Sequence, residues 1–423
     1  MGMLAPGSVG KVGPAIESVG SSVLPRGLGR SYGDSCLNEN GYLLSTKWLD
    51  KFYGFDPGTG LLKCESGVSL DEILKLFVPR GWFLSVTPGT KFVTVGGAIA
   101  NDVHGKSHHS TGSFGNSLKQ FELLRSDGER FICSRDLNPG LFRATVGGLG
   151  LTGVILWAEF ALRRIDGPYI EMEAVKFNDI EEFFQLSEES VHGYEHTVSW
   201  VDCLSGPGAR GIFMRGNNSA RQEPDESRRA HGPSRKTMPF DAPPFLLSGP
   251  SIRLFNFLHF NLQRKKVHRS CIHYDPFFYP LDGILHWNRL YGKRGFLQWQ
   301  CAIPKTGKKR ALTLILQEVV RGEAGPFLTT LKEFGDKPAE GLLSFPIPGI
   351  TLALDFPNTG EKLFSFLDRL DRIVADFGGR IYPAKDARMA PGMFSASFSE
   401  IENFSGYVDP RLSSSFYRRV GGK

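Results

Sequence analysis

The chain has 423 residues, of which 41% are hydrophobic and 22% are charged, a composition typical of a folded globular protein long enough for two domains. The formal net charge of +6 is small and the basic residues are dispersed, which argues against a dedicated nucleic-acid-binding protein. The six cysteines form no C-x-x-C pair, so neither a zinc site nor a disulfide framework is indicated.

Two segments bear on the expected location of the protein. The first twenty residues lack a continuous apolar core, and Pro6 stands where a myristoylation signal has Ser or Thr. The apolar stretch from Phe245 to Leu262 is interrupted by Pro250 and Arg253, so it does not predict a membrane-spanning helix. We expect a cytoplasmic protein, with this stretch available for peripheral contact at a membrane surface.

The first third of the chain alternates short apolar runs with turn signals. FDPGTGLLKCESG predicts two strands joined by a turn, and SLDEILKLFVPRG predicts a helix capped by Ser69 with Glu72 in a capping box. KQFELLRSDGERFIC predicts a hairpin, and GLTGVILWAEFALRRI predicts a long strand. This part of the chain is therefore expected to be α+β.

A change in composition near Asp166 predicts a domain boundary. Residues 206–244 are rich in Arg, Ser, Pro and Gly, and we interpret them as a solvated surface loop; the alternative is a mobile basic lid that steers an anionic or membrane-bound substrate. After this loop we expect a helix and then a strand that ends at Pro304. The helix KKRALTLILQEVVRG, the strand PGITLALDFP and the helix GEKLFSFLDRLDRIVADFGG follow, which predicts a sheet backed by helices on one side.

Three glycine clusters lie early in the chain: PRGLGRSYGD, TPGTKFVTVGGAIANDVHGKSHHSTGSFGN and TVGGLGLTG. Glycines leave backbone N–H groups uncovered, so such loops are suited to a pyrophosphate or a flat ring. GGLGLTG nearly matches the dinucleotide fingerprint, but a strand follows it where that fingerprint needs a helix. A Rossmann fold is therefore excluded, and a P-loop is excluded because no Gly-Lys-Ser/Thr ending is present.

Together with FYPLDGILHWNRLYGKRGFLQWQ, LSFPIPGITLALDFP and GGRIYPAKDAR, these clusters resemble the decaprenylphosphoryl-β-D-ribose 2-oxidase family of vanillyl-alcohol-oxidase-type flavoenzymes. The resemblance runs from about Leu24 to Arg411, and the segment before Arg26 is shorter than in the family. It implies an α+β, two-domain fold. Residues 1–167 form the first part of a PCMH-like FAD-binding domain, residues 168–379 form a substrate domain with an antiparallel sheet backed by helices, and residues 380–423 return to the FAD-binding domain.

The activity that the resemblance implies is FAD-dependent oxidation of the 2-hydroxyl of a polyprenyl-phosphate-linked pentose to a keto sugar. Hydride passes to flavin N5, and a short-chain-dehydrogenase-type reductase partner completes a 2-epimerisation that serves cell-wall arabinan synthesis. Two alternatives stay open at this point. One is a flavin oxidase of a free sugar, aldonolactone or nucleoside-type sugar, and the other is a non-catalytic flavin-binding partner protein.

The resemblance also implies non-covalent FAD, because Arg30 stands where covalently flavinylated relatives carry a histidine. The implied cofactor-binding residues are Arg26, Gly27, Leu28, Gly29, Arg30, Ser31, Tyr32, Pro88, Gly89, Thr90, Thr94, Val95, Gly96, Gly97, Ala100, Asn101, His104, Gly105, His109, Ser110, Gly112, Ser113, Gly115, Gly148, Gly150, Thr152, Gly153, Val154 and Lys385. His104 is expected to line the substrate side of this pocket, and His108 and His109 to pack or hydrogen-bond near the cofactor, with purely structural histidines as the alternative. A metal site is disfavoured, since the surrounding glycines and serines disfavour the helix that would bring the three histidines together.

Catalysis is assigned to Lys385, Tyr32 and His104. Oxidation of an alcohol needs a group that accepts the hydroxyl proton, and Lys385 matches the family's essential lysine, with Tyr32 facing it. The implied substrate-binding residues are Lys106, Trp200, Trp299, Gln317, Lys332, Thr351 and Ala353. Trp299 replaces the family's usual tyrosine, and Thr351 and Ala353 replace an asparagine and a cysteine.

Overall fold

The structure is a computed structural model that describes residues 1–220, 236–322 and 325–421. The strands are β1 (Gly2–Leu4), β2 (Val23–Arg26), β3 (Tyr42–Ser45), β4 (Phe52–Asp56), β5 (Leu61–Glu65), β6 (Trp82–Leu84), β7 (Leu118–Leu124), β8 (Arg130–Ser134), β9 (Val154–Arg164), β10 (Tyr169–Phe177), β11 (His196–Asp202), β12 (Arg210–Ser219), β13 (Lys236–Thr237), β14 (Val267–His273), β15 (Ile284–Leu285), β16 (Phe296–Pro304), β17 (Leu328–Phe334), β18 (Gly349–Pro357) and β19 (Arg380–Ile381).

Helices connect and cover these strands. They are α1 (Val12–Glu17), α2 (Leu70–Phe77), α3 (Val95–Ala100), α4 (His108–Thr111), α5 (Pro139–Thr145), α6 (Ile180–Ser190), α7 (Gly249–Leu262), α8 (Tyr274–Phe278), α9 (Lys308–Arg321), α10 (Glu361–Asp376), α11 (Pro391–Ser397), α12 (Ile401–Ser405) and α13 (Ser415–Arg419), with 3-10 turns at Val9–Lys11, Val78–Arg80, Phe114–Ser117, Pro244–Leu247, Trp287–Tyr291 and Pro383–Lys385.

The first part of the chain contains two sheets. A small parallel sheet has the order β1-β3-β2, and a larger antiparallel sheet has the order β4-β5-β9-β7-β8, with β6 added to β9. The predicted hairpins and the long strand are confirmed. The capping box of α2 is also confirmed, since the Ser69 hydroxyl accepts from the Glu72 N–H and the Glu72 carboxylate accepts from the Ser69 N–H.

An eight-stranded antiparallel sheet dominates the rest of the structure, in the order β14-β10-β12-β11-β17-β18-β16-β19. The helices α6, α9 and α10 bury apolar side chains against one face of it, including Phe183, Ile315 and Leu370. The expected sheet backed by helices is thus confirmed. The opposite face is left to polar side chains from β16, β17 and β18, and α7 covers its β10-β12 end through Ile212 and Phe260.

Two sequence predictions need correction. Part of the expected loop 206–244 is the strand β12, which pairs with β10 on one side and β11 on the other, because an apolar run lies between its charged flanks. Residues 221–235 of that loop lie outside the described residues. The helix expected before Pro304 is reduced to the short α8 and the turn Trp287–Tyr291, while the strand does end at Pro304.

The chain after β19 returns to the first part of the structure. The Val23 N–H donates to the Arg411 carbonyl at 2.8 Å, and the Tyr32 N–H donates to the Ala384 carbonyl at 2.8 Å. Arg419 forms ion pairs with Asp34 at 2.7 Å and Asp386 at 2.8 Å. These contacts place Lys385 beside the first glycine cluster. Within the described ranges no helix has the length and apolar character needed to cross a bilayer.

Candidate active site

The first glycine cluster forms an irregular loop directly after β2. Within the described part of the chain, the backbone N–H groups from Leu28 to Ser31 donate no hydrogen bond. Gly29 has a φ of +59°, a left-handed conformation that favours glycine, and its Cα faces the Arg26 guanidinium. A row of uncommitted N–H groups in a glycine loop is the donor set that a diphosphate accepts from, so these residues fit the pyrophosphate of FAD.

The second glycine cluster lies against the first. The Arg30 Nε donates to the Phe92 carbonyl at 3.2 Å, and the Thr94 hydroxyl accepts from the Gly97 N–H at 3.2 Å at the start of α3. A Cβ on Gly27 would lie 2.1 Å from the Thr94 hydroxyl, whereas Gly89 has open space around its Cα. The two loops therefore touch where Gly27 meets Thr94, whereas Gly89 is exposed.

Several predicted cofactor residues hold these loops in place. The fully buried Asp102 accepts hydrogen bonds from the Ser113 hydroxyl at 2.8 Å, the Gly115 N–H at 2.8 Å and the Ser344 hydroxyl at 2.6 Å, while burial raises the pKa of its carboxyl. The Thr152 hydroxyl pairs with that of Thr145 at 2.8 Å. Because these side chains already form hydrogen bonds within the protein, they would support the shape of the cofactor loops and would not contact the cofactor through these groups.

The polar face of the large sheet supplies a second set of side chains. Residues two apart along a strand share a face, so Thr351, Ala353 and Asp355 of β18 point to the same side. Their cross-strand partners continue this face: Thr351 is opposite Lys332, Ala353 is opposite Gln300, and Asp355 is opposite Gln298. This alternation assembles the polar side chains that face away from the helices.

His104 lies buried among aromatic rings beside this face. Its Nε2 is 3.0 Å from the Gln300 amide nitrogen, and its ring centre lies 5.0 Å from that of Phe334 and 5.4 Å from that of Phe345. Burial, followed by the charge of Lys332, holds the imidazole pKa well below its usual range. His104 is therefore neutral, and its buried Nδ1 has no hydrogen-bond partner among the described residues.

Lys332 and Lys385 lie beside His104, and Lys106 is a neighbour of Lys332 whose ammonium donates to the Phe277 carbonyl. The Lys385 ammonium lies 4.2 Å from the centre of the Tyr32 ring, and burial lowers its pKa to about 8 against the opposing charge of Asp355. Burial and then Lys385 lower the pKa of Lys332 to about 8, and burial and then Lys332 lower that of Lys106 to about 7. Amines in this state both attract an anion and accept a proton near neutral pH.

Two predicted substrate residues lie elsewhere, and both are corrections. Trp299 points to the helix face of the sheet, where its indole N–H donates to Asp371 of α10 at 2.7 Å. Gln317 lies on α9, which packs on that same face through its buried residues. Trp200 does lie on the polar face, next to His259 of α7 with ring centres 4.5 Å apart.

The other histidines of the second cluster have ordinary packing roles. His108 lies against Phe334 with ring centres 4.2 Å apart, and burial lowers its pKa to about 3. His109 pairs through Nε2 with the Tyr194 carbonyl at 2.8 Å. No group of three metal-binding side chains occurs in the described ranges.

The sequence analysis missed several residues that surround the site. They are Gln300, Asp355, Tyr291, Phe345 and Tyr382. Asp355 could have been found from the sequence, because strand alternation from Ala353 leads directly to it. Burial raises the pKa of Asp355 to about 6, and its charge opposes the effect of burial on Lys385.

Comparison with known proteins agrees with this geometry. Residues 6–134 match the FAD binding domain family. The chain is 36% identical over 404 residues to decaprenylphosphoryl-beta-D-ribose oxidase of Mycolicibacterium smegmatis, covering 92% of this chain and 86% of that protein. It is 30% identical to an uncharacterised protein of Streptomyces coelicolor over 84% of this chain and 100% of that protein. It is 26% identical to D-arabinono-1,4-lactone oxidase of Yarrowia lipolytica over 34% of this chain and 27% of that protein.

Proposed function

The chain belongs to the decaprenylphosphoryl-β-D-ribose oxidase family of FAD-dependent oxidoreductases acting on sugar CH–OH groups, and from this premise we propose its substrate. We propose that it oxidises the 2-hydroxyl of a polyprenyl-phosphate-linked pentose to a ketone. The observation that carries this proposal is the approach of Lys332 and Lys385 to the neutral His104, with Lys106 next to Lys332. A phosphate-bearing sugar needs cations for its phosphate and a proton acceptor for its hydroxyl, and these residues supply both.

Bound FAD supplies the hydride acceptor, flavin N5. In the proposed reaction the neutral amine of Lys385 would take the hydroxyl proton, and the carbinol carbon would give up its hydride to that acceptor. The Tyr32 ring stabilises the resulting ammonium through its face, at the 4.2 Å separation described above. Gln300 orients the substrate together with His104, whose ring it contacts, and the aromatic residues around His104 exclude water.

The substrate's phosphate is assigned to Lys332, with Lys106, whose ammonium donates to the Phe277 carbonyl, as the neighbouring cation. Lys332 lies on the polar face opposite Thr351, and its Nζ is 3.5 Å from the Gly105 carbonyl. Among the described residues it forms no ion pair with a carboxylate. Trp200 lies on the same face and offers an aromatic surface to the apolar side of the sugar or its lipid. The proposed product is a 2-keto sugar, which a short-chain-dehydrogenase-type reductase then reduces from the other face to complete an epimerisation.

The test is anaerobic reduction of the purified yellow holoenzyme by a short-chain prenylphosphoryl ribose. Rapid flavin bleaching that the Lys385→Ala variant loses supports both the substrate class and the role of the lysine. Bleaching by free pentoses or aldonolactones, with none by the prenylphosphoryl sugar, contradicts the proposal. That result places the enzyme with oxidases of free sugars or lactones, a class represented among its more distant relatives.

A further inference from the structure

Most of the large apolar side chains of the helix α7 face solvent and do not pack against the rest of the protein. Its buried face is narrow and carries Ile252, Asn256 and Phe260. Its solvent face carries Leu254, Phe257, Leu258 and Leu262, with Phe255 at the edge. The spacing of Leu254, Phe257, Leu258 and Leu262 places them along one stripe, because residues three, four and eight apart share a helix face.

This stripe is strongly exposed. Leu254 is 59% exposed, Leu258 is 54% exposed and Leu262 is 79% exposed. The 3-10 turn just before the helix adds Phe245, which is 66% exposed. Isolated exposed leucines are common, but a contiguous stripe of this length marks a binding surface. We call the turn Pro244–Leu247 and the outer face of α7 the apolar ridge.

A run of cations begins where the apolar ridge ends. Arg264, Lys265 and Lys266 follow the last turn of α7 and are exposed. Lys266 lies 3.3 Å from the Glu182 carboxylate, whereas Arg264 and Lys265 have no ion pair with any described residue. An apolar stripe with free cations at one end is complementary to a surface that has acyl chains below anionic headgroups.

The apolar ridge also lies close to the candidate active site. His259, on the inner side of α7, contacts Trp200 on the polar face of the sheet. Phe255 packs against Phe327 with ring centres 5.1 Å apart, and Phe327 lies 6.2 Å from the ring of Tyr291. Whatever binds the apolar ridge is therefore also close to the side of the candidate active site that carries Trp200.

We propose that the apolar ridge docks the protein peripherally on an anionic lipid bilayer. The leucine and phenylalanine side chains enter the interface, and Arg264 and Lys265 contact lipid headgroups. Docking itself is independent of the substrate. Its consequence, that a polyprenyl-linked sugar reaches the site with its lipid tail still in the membrane, rests on the proposed function.

The experiment is flotation of the holoenzyme with vesicles of phosphatidylcholine and with vesicles of an equal mixture of phosphatidylcholine and phosphatidylglycerol. We expect flotation with the anionic vesicles that weakens at high salt. The Leu254→Asp/Leu258→Asp variant should bind at least about tenfold more weakly, because charges replace two apolar side chains that enter the bilayer interface in the docked state. The matched control, Leu137→Asp/Val191→Asp, places the same charges at exposed apolar positions outside the ridge and should bind like the wild type.

Three results would overturn the proposal: no flotation of the wild type, equal flotation of the ridge variant, or equal flotation with neutral vesicles. Analytical sedimentation tests whether a second copy of the chain covers the ridge instead. If the wild type does not bind vesicles but is a dimer, and the ridge variant is a monomer, the ridge is a dimer interface. Flavin bleaching by a water-soluble short-chain substrate separates the two proposals. If the wild type does not float but its flavin is bleached normally, only the docking proposal is rejected. If the wild type floats but its flavin is not bleached, only the proposed substrate is rejected.

Discussion

The Lys385 ammonium lies over the face of the Tyr32 ring, 4.2 Å from its centre, although the two residues come from opposite ends of the sequence. The hydrogen bond from the Tyr32 N–H to the Ala384 carbonyl fixes this approach at the backbone level. The amine is thereby held at a defined position beside the glycine loop that fits the cofactor.

Replacement of Lys385 by Met should slow anaerobic flavin reduction about a hundredfold to ten-thousandfold, because the variant lacks the group that takes the hydroxyl proton. Stopped-flow absorbance of the flavin measures this rate. The Lys119→Met variant is the control, since Lys119 is exposed on β7. A normal rate in Lys385→Met, at normal flavin content, would remove the lysine from the mechanism.

The reduction rate should depend on pH through the same amine. With a pKa of about 8, Lys385 is protonated and inactive as a base below that pH, so the rate should rise through pH 8 and then level. The Asp355 carboxylate favours the ammonium, and Asp355→Asn should therefore move the midpoint to lower pH. An unchanged or higher midpoint in this variant would contradict the assignment of the pH dependence to Lys385.

Trp299 and Trp200 should respond differently to substitution. Trp299→Phe loses the hydrogen bond to Asp371 and should destabilise the fold by about 1–2 kcal/mol, with an unchanged KM. Trp200→Ala should raise KM, because Trp200 lies on the polar face. Thermal unfolding and steady-state kinetics measure the two effects. A change of KM in the Trp299 variant would show that Trp299 does belong to the substrate pocket.

Lys91 should be a strong determinant of stability. It is buried and bridges Asp71 of α2, 3.3 Å away, and Asp275 of α8, so Lys91→Met leaves Asp275 without its cation and Asp71 with only the exposed Lys75. We expect a loss of about 3–5 kcal/mol in the free energy of unfolding, measured in denaturant. Lys75→Met is the matched control. Lys75 pairs with the same Asp71 from an exposed position, and its loss should cost less than about 1 kcal/mol.

FAD should be released from the protein by acid precipitation. Arg30 stands in the first glycine loop and donates to the Phe92 carbonyl, and a guanidinium does not form the histidyl bond of covalently flavinylated enzymes. We expect the yellow colour in the supernatant and a colourless pellet. Flavin absorbance that stays with the denatured protein would show a covalent attachment at another residue.

The sequence was most informative where local chemistry decides the structure. The Ser69 and Glu72 capping box, the hairpin turn at Gly128 and the strand that ends at Pro304 depend on neighbours in the chain, and all are present. The two misplaced residues depend on distant ones. Alternation along β16 places Trp299 and Gln300 on opposite faces, but only the packing of α9 and α10 determines which face is polar.

The arrangement of Tyr32 and Lys385 also has a consequence for how the protein is made. A ribosome synthesises Tyr32 long before Lys385, and at ordinary elongation rates the interval is on the order of tens of seconds. Throughout that interval the first glycine loop lacks its neighbours Ala384 and Lys385, because that part of the chain has not yet been synthesised. The contact between Tyr32 and Lys385 therefore forms only when translation is nearly complete.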